Sequence, residues 1–219
     1  MNVITSIKEM QQYSEKMRLS GHRIGVVPTM GYLHTGHLSL ISLAKQNADI
    51  VITTVFVNPA QFSPEEDFEK YPRDVNRDVA MSESAGSDVV FTPSVNEMYN
   101  HNYLTYIHVE NISSLLEGQF RQTHFRGVAT VVAKLFNITK PHVAVFGQKD
   151  AQQAIVIKKM VKDLNFDIEI IIAPIIREVN GLAMSSRNVY ITNGEKDEVA
   201  VLYKSLKLAE GLIGEGENS

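Results

Sequence analysis

Short apolar runs and longer stretches with helical spacing alternate along this chain. The short runs are rich in Val and Ile and end at turn residues, which is typical of strands buried in a sheet. These runs predict strands over residues 23–27, 50–57, 89–91, 143–146 and 168–173. Residues 103–109 alternate in a β-like way and predict an edge strand or a small excursion.

The stretches between the strands repeat apolar residues at helical spacing. They predict helices over residues 6–19, 38–48, 74–85, 127–139, 151–164 and 195–213. Ser6 is a suitable cap for the first helix, and Gly21 lies just past its end. Three prolines fall within residues 58–73, so we expect an ordered loop or a flexible lid there.

Strands that alternate with helices of this length indicate an α/β fold. Right-handed crossovers then give a doubly wound parallel sheet of the Rossmann-like type, with helices on both faces. The loops that follow the strands should meet at the carboxyl edge of the sheet. The chain changes character after residue 176, so we expect one domain over 1–176 and the start of a C-terminal lid domain over 177–219.

Composition narrows the class of protein without identifying it. The 219 residues suit one α/β domain or one domain with a small appendage. The chain has no Cys, which excludes a disulfide framework and a thiol nucleophile. A net charge of −4 favours no nucleic-acid partner, and we see neither a signal peptide nor an apolar run of membrane-spanning length. We therefore expect a soluble, cytoplasmic protein.

The most informative segment, residues 24–38, joins the first strand to a helix through a turn that contains Gly31 and Gly36. His34 and His37 stand three residues apart where the helix should begin, so they share one helical face. A helix N-terminus offers unpaired N–H groups and the positive end of the helix dipole, and glycine lets the backbone approach an anion closely. The segment predicts a phosphate site and hence nucleotide chemistry.

Two other interpretations of the histidine pair are a plain helix cap and a metal site. Zinc would need a third ligand such as a Cys or a well-placed carboxylate. The chain has no Cys, and the next acidic residue after the pair is Asp49. We therefore favour phosphate binding and predict no metal ligation by this pair.

Amide side chains follow the second predicted strand. Asn58 and Gln61 could bind a substrate carboxylate or hydroxyl without adding charge. Asn58 is equally suited to capping the turn before Pro59. Gln61 has less structural reason to occur at this position.

Two further loops carry groups suited to phosphate. In the loop after residue 146, glycine permits close approach, lysine supplies charge, and aspartate could cap a helix or orient a ribose or metal. Its residues are Gly147, Gln148, Lys149 and Asp150, followed by Gln152 and Gln153. In the second loop, hydroxyls and a guanidinium could wrap a polyphosphate. Its residues are Met184, Ser185, Ser186 and Arg187. Each loop alone is also consistent with a solvated polar turn.

Taken in order, the motifs of this chain resemble one family. They are Pro28-Thr29-Met30-Gly31-x-Leu33-His34-x-Gly36-His37-Leu38, Phe56-Val57-Asn58-Pro59-x-Gln61-Phe62, Tyr71-Pro72-Arg73, His124-Phe125-Arg126-Gly127-Val128, Phe146-Gly147-x-Lys149-Asp150-x-Gln152-Gln153 and Met184-Ser185-Ser186-Arg187-Asn188. The histidine motif alone indicates the HIGH-type nucleotidyl transferase superfamily. The full set, spanning about residues 24–191, resembles the pantoate–β-alanine ligases (pantothenate synthetases).

This resemblance implies a two-step, ATP-dependent ligase. Pantoate would attack the α-phosphate of ATP to give a pantoyl adenylate and pyrophosphate, and β-alanine would then displace AMP. The resemblance implies pantoate, β-alanine and ATP as ligands, Mg²⁺ with the ATP, and a homodimer.

The same resemblance implies a role for each matched residue. His34 and His37 would contact the ATP phosphates, with His37 as the proton donor, and Lys149, Ser185, Ser186 and Arg187 would assist. The nucleotide contacts would come from Met30, Gly31, His34, Gly36, His37, Gly147, Gln148, Lys149, Asp150, the main chain at Ile176, and Met184 to Arg187. Gln61 and Gln153 would bind pantoate, assisted by Met30 and Asn58, and Gln61 would also meet β-alanine.

The chain departs from the family in two places, and two rival functions stay open. Gln148 stands where the family more often has Glu, and the chain carries less of the C-terminal lid than the family does. One rival is another nucleotidyl transferase of the superfamily, which would need cations where this chain has Gln61 and Gln153. The other is a nucleotide-binding module without catalysis.

Overall fold

Six strands form a single parallel sheet in the part of the chain that the computed structural model describes, residues 1–192, 194–195 and 198–217. The strands are β1 (Asn2–Ile4), β2 (Ile24–Thr29), β3 (Ile50–Val55), β4 (Val89–Phe91), β5 (Val143–Gly147) and β6 (Glu169–Ala173). Their spatial order is β1-β4-β3-β2-β5-β6, and every pairing is parallel. The α/β, doubly wound fold expected from the pattern is confirmed.

Helices cover both faces of this sheet. The helices of the described residues are α1 (Ile7–Leu19), α2 (Thr35–Asn47), α3 (Val75–Ser84), α4 (Val95–Met98), α5 (Glu117–Phe120), α6 (His124–Thr139), α7 (Ala151–Asp163) and α8 (Val201–Gly214), of which α1, α2, α6 and α7 pack in the two apolar layers on the sheet. Along β2, Val26 packs into the apolar layer that contains α1, α6 and α7, and Val27 packs into the layer that contains α2. This alternation is the period-2 geometry of a strand buried on both sides.

The central strand approaches α2 closely because one residue has no side chain. A Cβ placed on Gly25 would lie 3.0 Å from the Cβ of Ala48 and 3.6 Å from that of Ala44. These alanines are equally small, so helix and sheet pack at short range. Close packing of α2 fixes the height at which its N-terminus stands above the sheet edge.

The order of the strands creates a crevice beside β2. From β2 the chain adds β3 and β4 on one side, and it later adds β5 and β6 on the other. The loops that leave β2 and β5 therefore diverge at the carboxyl edge, where doubly wound sheets bind their ligands.

Several predicted boundaries were wrong. Residues 2–4, which carried no strand prediction, form the edge strand β1 beside β4. Residues 103–109 form no strand: the N–H of Ile107 bonds the Thr130 hydroxyl of α6 at 2.9 Å. Tyr103 instead stacks edge-on against Tyr99 and Tyr106. Alternating apolar residues here serve aromatic packing, which period-2 spacing does not distinguish from strand pairing.

The predicted helix starts were late. Helix α2 begins at Thr35 instead of 38, and α6 begins at His124 instead of 127. Ser6 does stand before α1, but its side chain caps nothing; the Glu97 carboxylate accepts from the Ile7 N–H at 2.7 Å. The loop 58–73 is ordered and contains a short 3₁₀ turn at Pro59–Gln61, where the prolines had predicted no regular structure.

The C-terminal segment is less enclosed than the sheet. The predicted helix 195–213 is observed as α8, Val201–Gly214, and positions 196–197 of that prediction lie outside the described residues. Several apolar side chains of α8 are exposed, among them Leu202, Leu206 and Ile213. The division of the chain at residue 176 stays a prediction. Within the described residues, no helix combines the length and apolar character needed to cross a membrane.

We predict that Phe91→Ala lowers the free energy of unfolding by about 3–5 kcal/mol. Phe91 ends β4 and is fully buried in the core, so the variant loses apolar burial and leaves a cavity. Leu19→Ala is the control because Leu19 is 80% exposed, and its effect should stay within about 0.5 kcal/mol. Urea unfolding followed by circular dichroism measures both, and equal losses would contradict the core position of Phe91.

Candidate active site

A cavity of about 310 Å³ opens at the crevice beside β2. Three loops of distant sequence line it: the loop after β2, the loop after β3, and the loop after β5 together with the segment after β6. The predicted site residues that line it are Met30, His34, Gly36, His37, Asn58, Gln61, Gly147, Lys149, Asp150, Gln153, Ile176, Met184, Ser185, Ser186 and Arg187. Gly31 and Gln148 are the predicted site residues outside this lining.

A buried carboxylate shapes the loop between β2 and α2. Asp78, on α3, accepts hydrogen bonds from the N–H groups of Tyr32 and Leu33, both at 2.7 Å. Burial raises the pKa of Asp78, and the two N–H donors oppose that shift. Gly31 turns the chain with φ +83°, and a Cβ there would lie 2.8 Å from an Asp78 carboxylate oxygen. Gly31 therefore does not line the cavity, and its role is to let the backbone turn close to Asp78.

The two histidines cap helix α2 reciprocally. The Nδ1 of His34 accepts from the Gly36 N–H at 3.1 Å, and the Nδ1 of His37 accepts from the His34 N–H at 3.3 Å. Since a backbone N–H can only donate, each Nδ1 carries a lone pair, and in the neutral ring the proton is on Nε2. The cap therefore presents two Nε2–H donors from rings whose centroids are 4.0 Å apart. Capping and anion binding, rival interpretations of the sequence, are compatible here.

Both imidazoles are uncharged at neutral pH. Burial lowers the pKa of His34 to about 4, and the positive charges of Lys149 and Arg77 add to the effect. Burial lowers the pKa of His37 to about 3, with contributions from His34 and Lys149. The pair can donate hydrogen bonds to an anion, while the positive charges in the cavity lining come from Lys149, Arg121 and Arg187.

Asn58 holds Gln61 in the wall of the cavity. The Asn58 Nδ2 donates to the Gln61 Oε1 at 3.2 Å and to the Gly127 carbonyl at 3.1 Å. Its Oδ1 accepts from the Ala60 N–H at 3.2 Å and from the Tyr99 hydroxyl at 2.8 Å. All the hydrogen-bonding capacity of the Asn58 side chain is thereby used within the protein. The predicted contact between Asn58 and substrate stays a prediction. In the structure, the Asn58 side chain orients Gln61.

Gln61 lies under the first turn of α6. Its Nε2 is 2.7 Å from the Met30 sulfur, which links the loop after β3 to the loop after β2. A Cβ on Gly127 would lie 2.2 Å from the Ala60 carbonyl oxygen and 2.6 Å from the Gln61 Cα. The helix can approach Gln61 this closely because Gly127 has no side chain.

The loop after β5 contributes charge and one amide. Lys149 is partly exposed and pairs with Asp150 at 3.0 Å. Gln153 lines the cavity, whereas the neighbouring Gln152 donates to the carbonyls of Ile112 and Leu115 and braces that segment. Gln148 is exposed, so its predicted nucleotide contact stays a prediction.

The segment after β6 folds back onto the histidine loop. A turn closes at Gly181, with the Met184 N–H bonded to the Ile176 carbonyl at 2.9 Å. The hydroxyl of Ser186 donates to the Tyr32 carbonyl at 3.1 Å, and the hydroxyl of Ser185 accepts from the Arg187 N–H at 3.3 Å. Both serines therefore have structural partners in addition to their place in the cavity wall.

Arg187 is held by an internal ion pair. Its Nε and one terminal nitrogen donate to the two oxygens of Asp67, at 2.8 and 2.7 Å. The guanidinium also stands 5.7 Å from the ring centre of Phe62 and 5.3 Å from that of Tyr71. The bond from Arg187 lowers the pKa of Asp67. This bidentate ion pair joins the loop 58–73 to the segment after β6.

The sequence analysis missed several residues that shape this cavity. Asp78 lies in a helix that carries no motif, and a buried acid among helix residues has no local signature. Arg121 donates both to Glu66, with bonds of 2.7 and 2.8 Å, and to Glu117 at 2.7 Å. Glu117 and Arg121 line the cavity together with His124. His124 stands in the motif His124-Phe125-Arg126-Gly127-Val128 of the resemblance, which gave it no role, and Arg121 belongs to the same basic segment before Gly127.

Comparison with known proteins gives one consistent result. The sequence profile of the family described as Pantoate-beta-alanine ligase matches residues 2–219. The pantothenate synthetase of Acetivibrio thermocellus is 56% identical over 217 residues, which is 99% of this chain and 77% of that protein. A crystal structure of pantothenate synthetase from Thermus thermophilus is similar with a TM-score of 0.94 and 43% identity, covering 99% of this chain and 77% of that one. The pantoate-beta-alanine ligase of Francisella tularensis, solved with Beta-gamma ATP and Beta-alanine, has a TM-score of 0.89 and 39% identity over 94% of this chain and 79% of its own.

We predict that Gly31→Ala destabilises the histidine loop far more than Gly21→Ala destabilises α1. Both glycines have φ near +80°, so alanine costs about 1–2 kcal/mol of backbone strain at each position. At Gly31 the new Cβ also meets Asp78 and Val55 below 3.0 Å, whereas at Gly21 it meets nothing within 4 Å. Urea unfolding compares the two variants, and equal losses would contradict the steric role of Asp78.

We also predict that His34 and His37 stay neutral well below the ordinary range of histidine. Their pKa values of about 4 and about 3 lie below the ordinary 6.5. Between these values and pH 6.5, the two histidines are therefore protonated in the unfolded chain and neutral in the folded chain. Their contribution to stability is therefore complete above pH 6.5 and declines as the pH falls from 6.5 toward 4. Nitrogen-detected NMR titration measures both; a ring protonating near its ordinary pKa, or carrying its proton on Nδ1 when neutral, would contradict the cap.

Proposed function

The chain belongs to the pantoate–β-alanine ligase family, and from that membership we propose how its cavity performs the reaction. The protein is an ATP-dependent ligase that condenses pantoate with β-alanine and releases AMP and pyrophosphate. One observation carries the assignment of residues. A single cavity, in the crevice beside β2, is lined by the two neutral imidazole donors, by Lys149, and by the amides of Gln61 and Gln153.

In the proposed first step, a carboxylate oxygen of pantoate attacks the α-phosphorus of ATP and the bond to pyrophosphate breaks. Negative charge shifts onto the leaving oxygens, so donors fixed in advance lower the barrier. The Nε2–H groups of His34 and His37 are such donors because the cap of α2 sets their direction. Lys149 supplies the positive charge. Because the pKa of His37 is about 3, we assign it hydrogen-bond donation in place of full proton transfer.

The nucleotide contacts of this proposal follow the cavity wall. The phosphates would bind between the histidine loop and the loop after β5. The adenine would meet the main chain at Ile176, which lines the cavity. The phosphate and ribose contacts would come from Met30, Gly31, His34, Gly36, His37, residues 147–150 and residues 184–187.

Pantoate is assigned to the amide side of the cavity. Gln61 and Gln153 are uncharged, so they can bind hydroxyl and carboxylate oxygens without holding the nucleophile as a tight ion pair. A phosphorylated acceptor would call for cations at these two positions, so the neutral amides favour pantoate over the acceptors of other nucleotidyl transferases. Asn58 and Met30 keep Gln61 in place.

Closure over ATP is proposed to involve Arg187. At rest its guanidinium is occupied by Asp67, and triphosphate oxygens are the stronger bidentate partners because they carry more charge. Exchange of Asp67 for phosphate would bring the segment 184–187 over the nucleotide. A closed site protects the acyl adenylate from water.

Magnesium, the homodimer and the cytoplasmic location are also proposals. No group of three or more His, Asp or Glu side chains among the described residues could hold a metal, so Mg²⁺ is assigned to the triphosphate and enters with it. A homodimer is supported by exposed apolar side chains on one stretch of chain, Leu104, Leu115, Leu116 and Phe120. A cytoplasmic location fits a consumer of ATP without cysteine.

The assay that tests this function supplies the protein with MgATP and β-alanine, with and without pantoate. AMP release that depends on pantoate, together with pantothenate formation, is the expected result. Binding of ATP without any turnover would overturn the proposal and favour a nucleotide-binding module. Transfer of the nucleotide to a phosphorylated acceptor would favour another member of the superfamily.

We predict that His37→Asn slows adenylation by about 10²–10³-fold, with a smaller effect on ATP affinity. The Asn side-chain oxygen can replace Nδ1 as the acceptor in the cap, but the variant has no donor where Nε2–H stood. Pyrophosphate release in the presence of pantoate gives the rate, and ATP titration gives the affinity. An unchanged rate of pyrophosphate release would refute the assigned role of His37.

A further inference from the structure

His124 is a buried histidine in the cavity wall that the first step does not use. It begins α6 and is 9% exposed. Its Nδ1 lies 2.9 Å from the main-chain carbonyl oxygen of Gln61. The ring also packs edge-on against Phe125, with centroids 5.0 Å apart. These contacts fix the plane of the imidazole beside the amide that is assigned to substrate.

The hydrogen bond to Gln61 fixes the tautomer of His124. A carbonyl oxygen can only accept, so Nδ1 carries the proton and Nε2 of the neutral ring carries a lone pair. This is the opposite arrangement to His34 and His37, whose Nδ1 atoms are acceptors. The Nε2 of His124 bonds none of the described residues. The cavity therefore contains two imidazole donors and one imidazole acceptor.

The second half of the reaction requires such an acceptor. An amine attacks a carbonyl carbon only when its nitrogen has a free electron pair, so β-alanine, which carries an ammonium group at neutral pH, must first lose a proton. The first-step donors are poorly suited to take that proton, because their outward nitrogens already carry one. A neutral imidazole lone pair in the wall of the cavity is a suitable general base.

We propose that His124 is the general base of amide formation, an inference that rests on the proposed function. The amine nitrogen of β-alanine bonds to the carbonyl carbon of the pantoyl adenylate, and the bond from that carbon to the phosphate oxygen breaks. AMP leaves with the electron pair of that bond. The ammonium proton of β-alanine moves to Nε2 of His124 before the attack and then to solvent, which restores the neutral ring. The second proton, which the nitrogen loses on becoming an amide, leaves with the phosphate of AMP or to solvent.

The charges around His124 suit an incoming ammonium group. Arg121 lies between Glu66 and Glu117, and these three groups together carry one net negative charge. Burial lowers the pKa of His124, and Arg121 adds to that effect. Gln61, Glu117 and Glu66 oppose it. A pKa below the ordinary value of histidine favours the neutral ring, which can accept a proton, and the neighbouring cluster with one net negative charge suits the ammonium group of β-alanine.

The test compares His124→Asn with the wild-type protein in the two half-reactions. The Asn amide nitrogen can take the position of Nδ1 and keep the bond to the Gln61 carbonyl, but nothing replaces Nε2. We expect pantoate-dependent exchange of pyrophosphate into ATP to stay near the wild-type rate. Single-turnover attack of β-alanine on the enzyme-held adenylate should fall by about 10²–10⁴-fold. His108→Asn, the same change at an exposed site outside the cavity, is the matched control.

A second nucleophile separates loss of a base from loss of a binding contact. Hydroxylamine is largely unprotonated at neutral pH and needs no base, so its attack on the adenylate should be equally fast in the wild-type and His124→Asn proteins. In addition, the wild-type rate with β-alanine should fall at low pH with an inflection that the variant lacks. Equal slowing with both nucleophiles would overturn the proposal.

The outcomes distinguish this inference from the function on which it rests. If the wild-type protein catalyses no pantoate-dependent pyrophosphate exchange, the proposed function itself fails. If exchange is normal and His124→Asn attacks the adenylate with β-alanine at the wild-type rate, His124 is not the base. If the variant loses exchange as well, while its thermal unfolding is unchanged, His124 acts in the first step and the inference is wrong.

Discussion

A buried carboxylate on α3 holds the backbone that the rest of the cavity depends on. Asp78 accepts from two successive N–H groups of the loop after β2, and this pairing sets the path of the chain from Gly31 into α2. Burying a carboxylate is unfavourable unless donors satisfy it, so the loop and the acid stabilise each other. Once the loop is fixed, the N-terminus of α2 has a single direction. The side chains of His34 and His37, which cap this N-terminus, are oriented with it.

The capping of α2 decides what its histidines can do. Imidazole is both donor and acceptor, and the tautomer is set by whichever nitrogen is already engaged. At His34 and His37 the engaged nitrogen accepts from backbone, so the other one donates. At His124 the engaged nitrogen donates to a carbonyl, so the other one accepts. One residue type thus supplies both functions in one cavity without adding charge.

Ion pairs and hydrogen bonds between loops keep the cavity together. Arg187 joins Asp67 across two loops, Ser186 joins the segment after β6 to the histidine loop, and Arg121 joins α5 to the loop 58–73. The two ion pairs are partly exposed, so solvent screens part of their attraction. Their value lies in position, because they keep loops of distant sequence at one place while leaving groups such as Arg187 able to exchange an internal partner for a charged ligand.

The sequence by itself determined the α/β class, the alternation of strands and helices, and the motif residues, because hydrophobic period and residue chemistry are local properties. It also determined that His34 and His37 begin a helix and that Gln61 and Lys149 follow strands. The tertiary structure decided the rest. The strand β1, the irregular path of residues 103–109 and the work of Asp78 depend on partners distant in the chain, and no local pattern encodes those. The same holds for the tautomers: which nitrogen of each histidine carries the proton is set by a backbone group that only the folded chain brings within hydrogen-bonding distance.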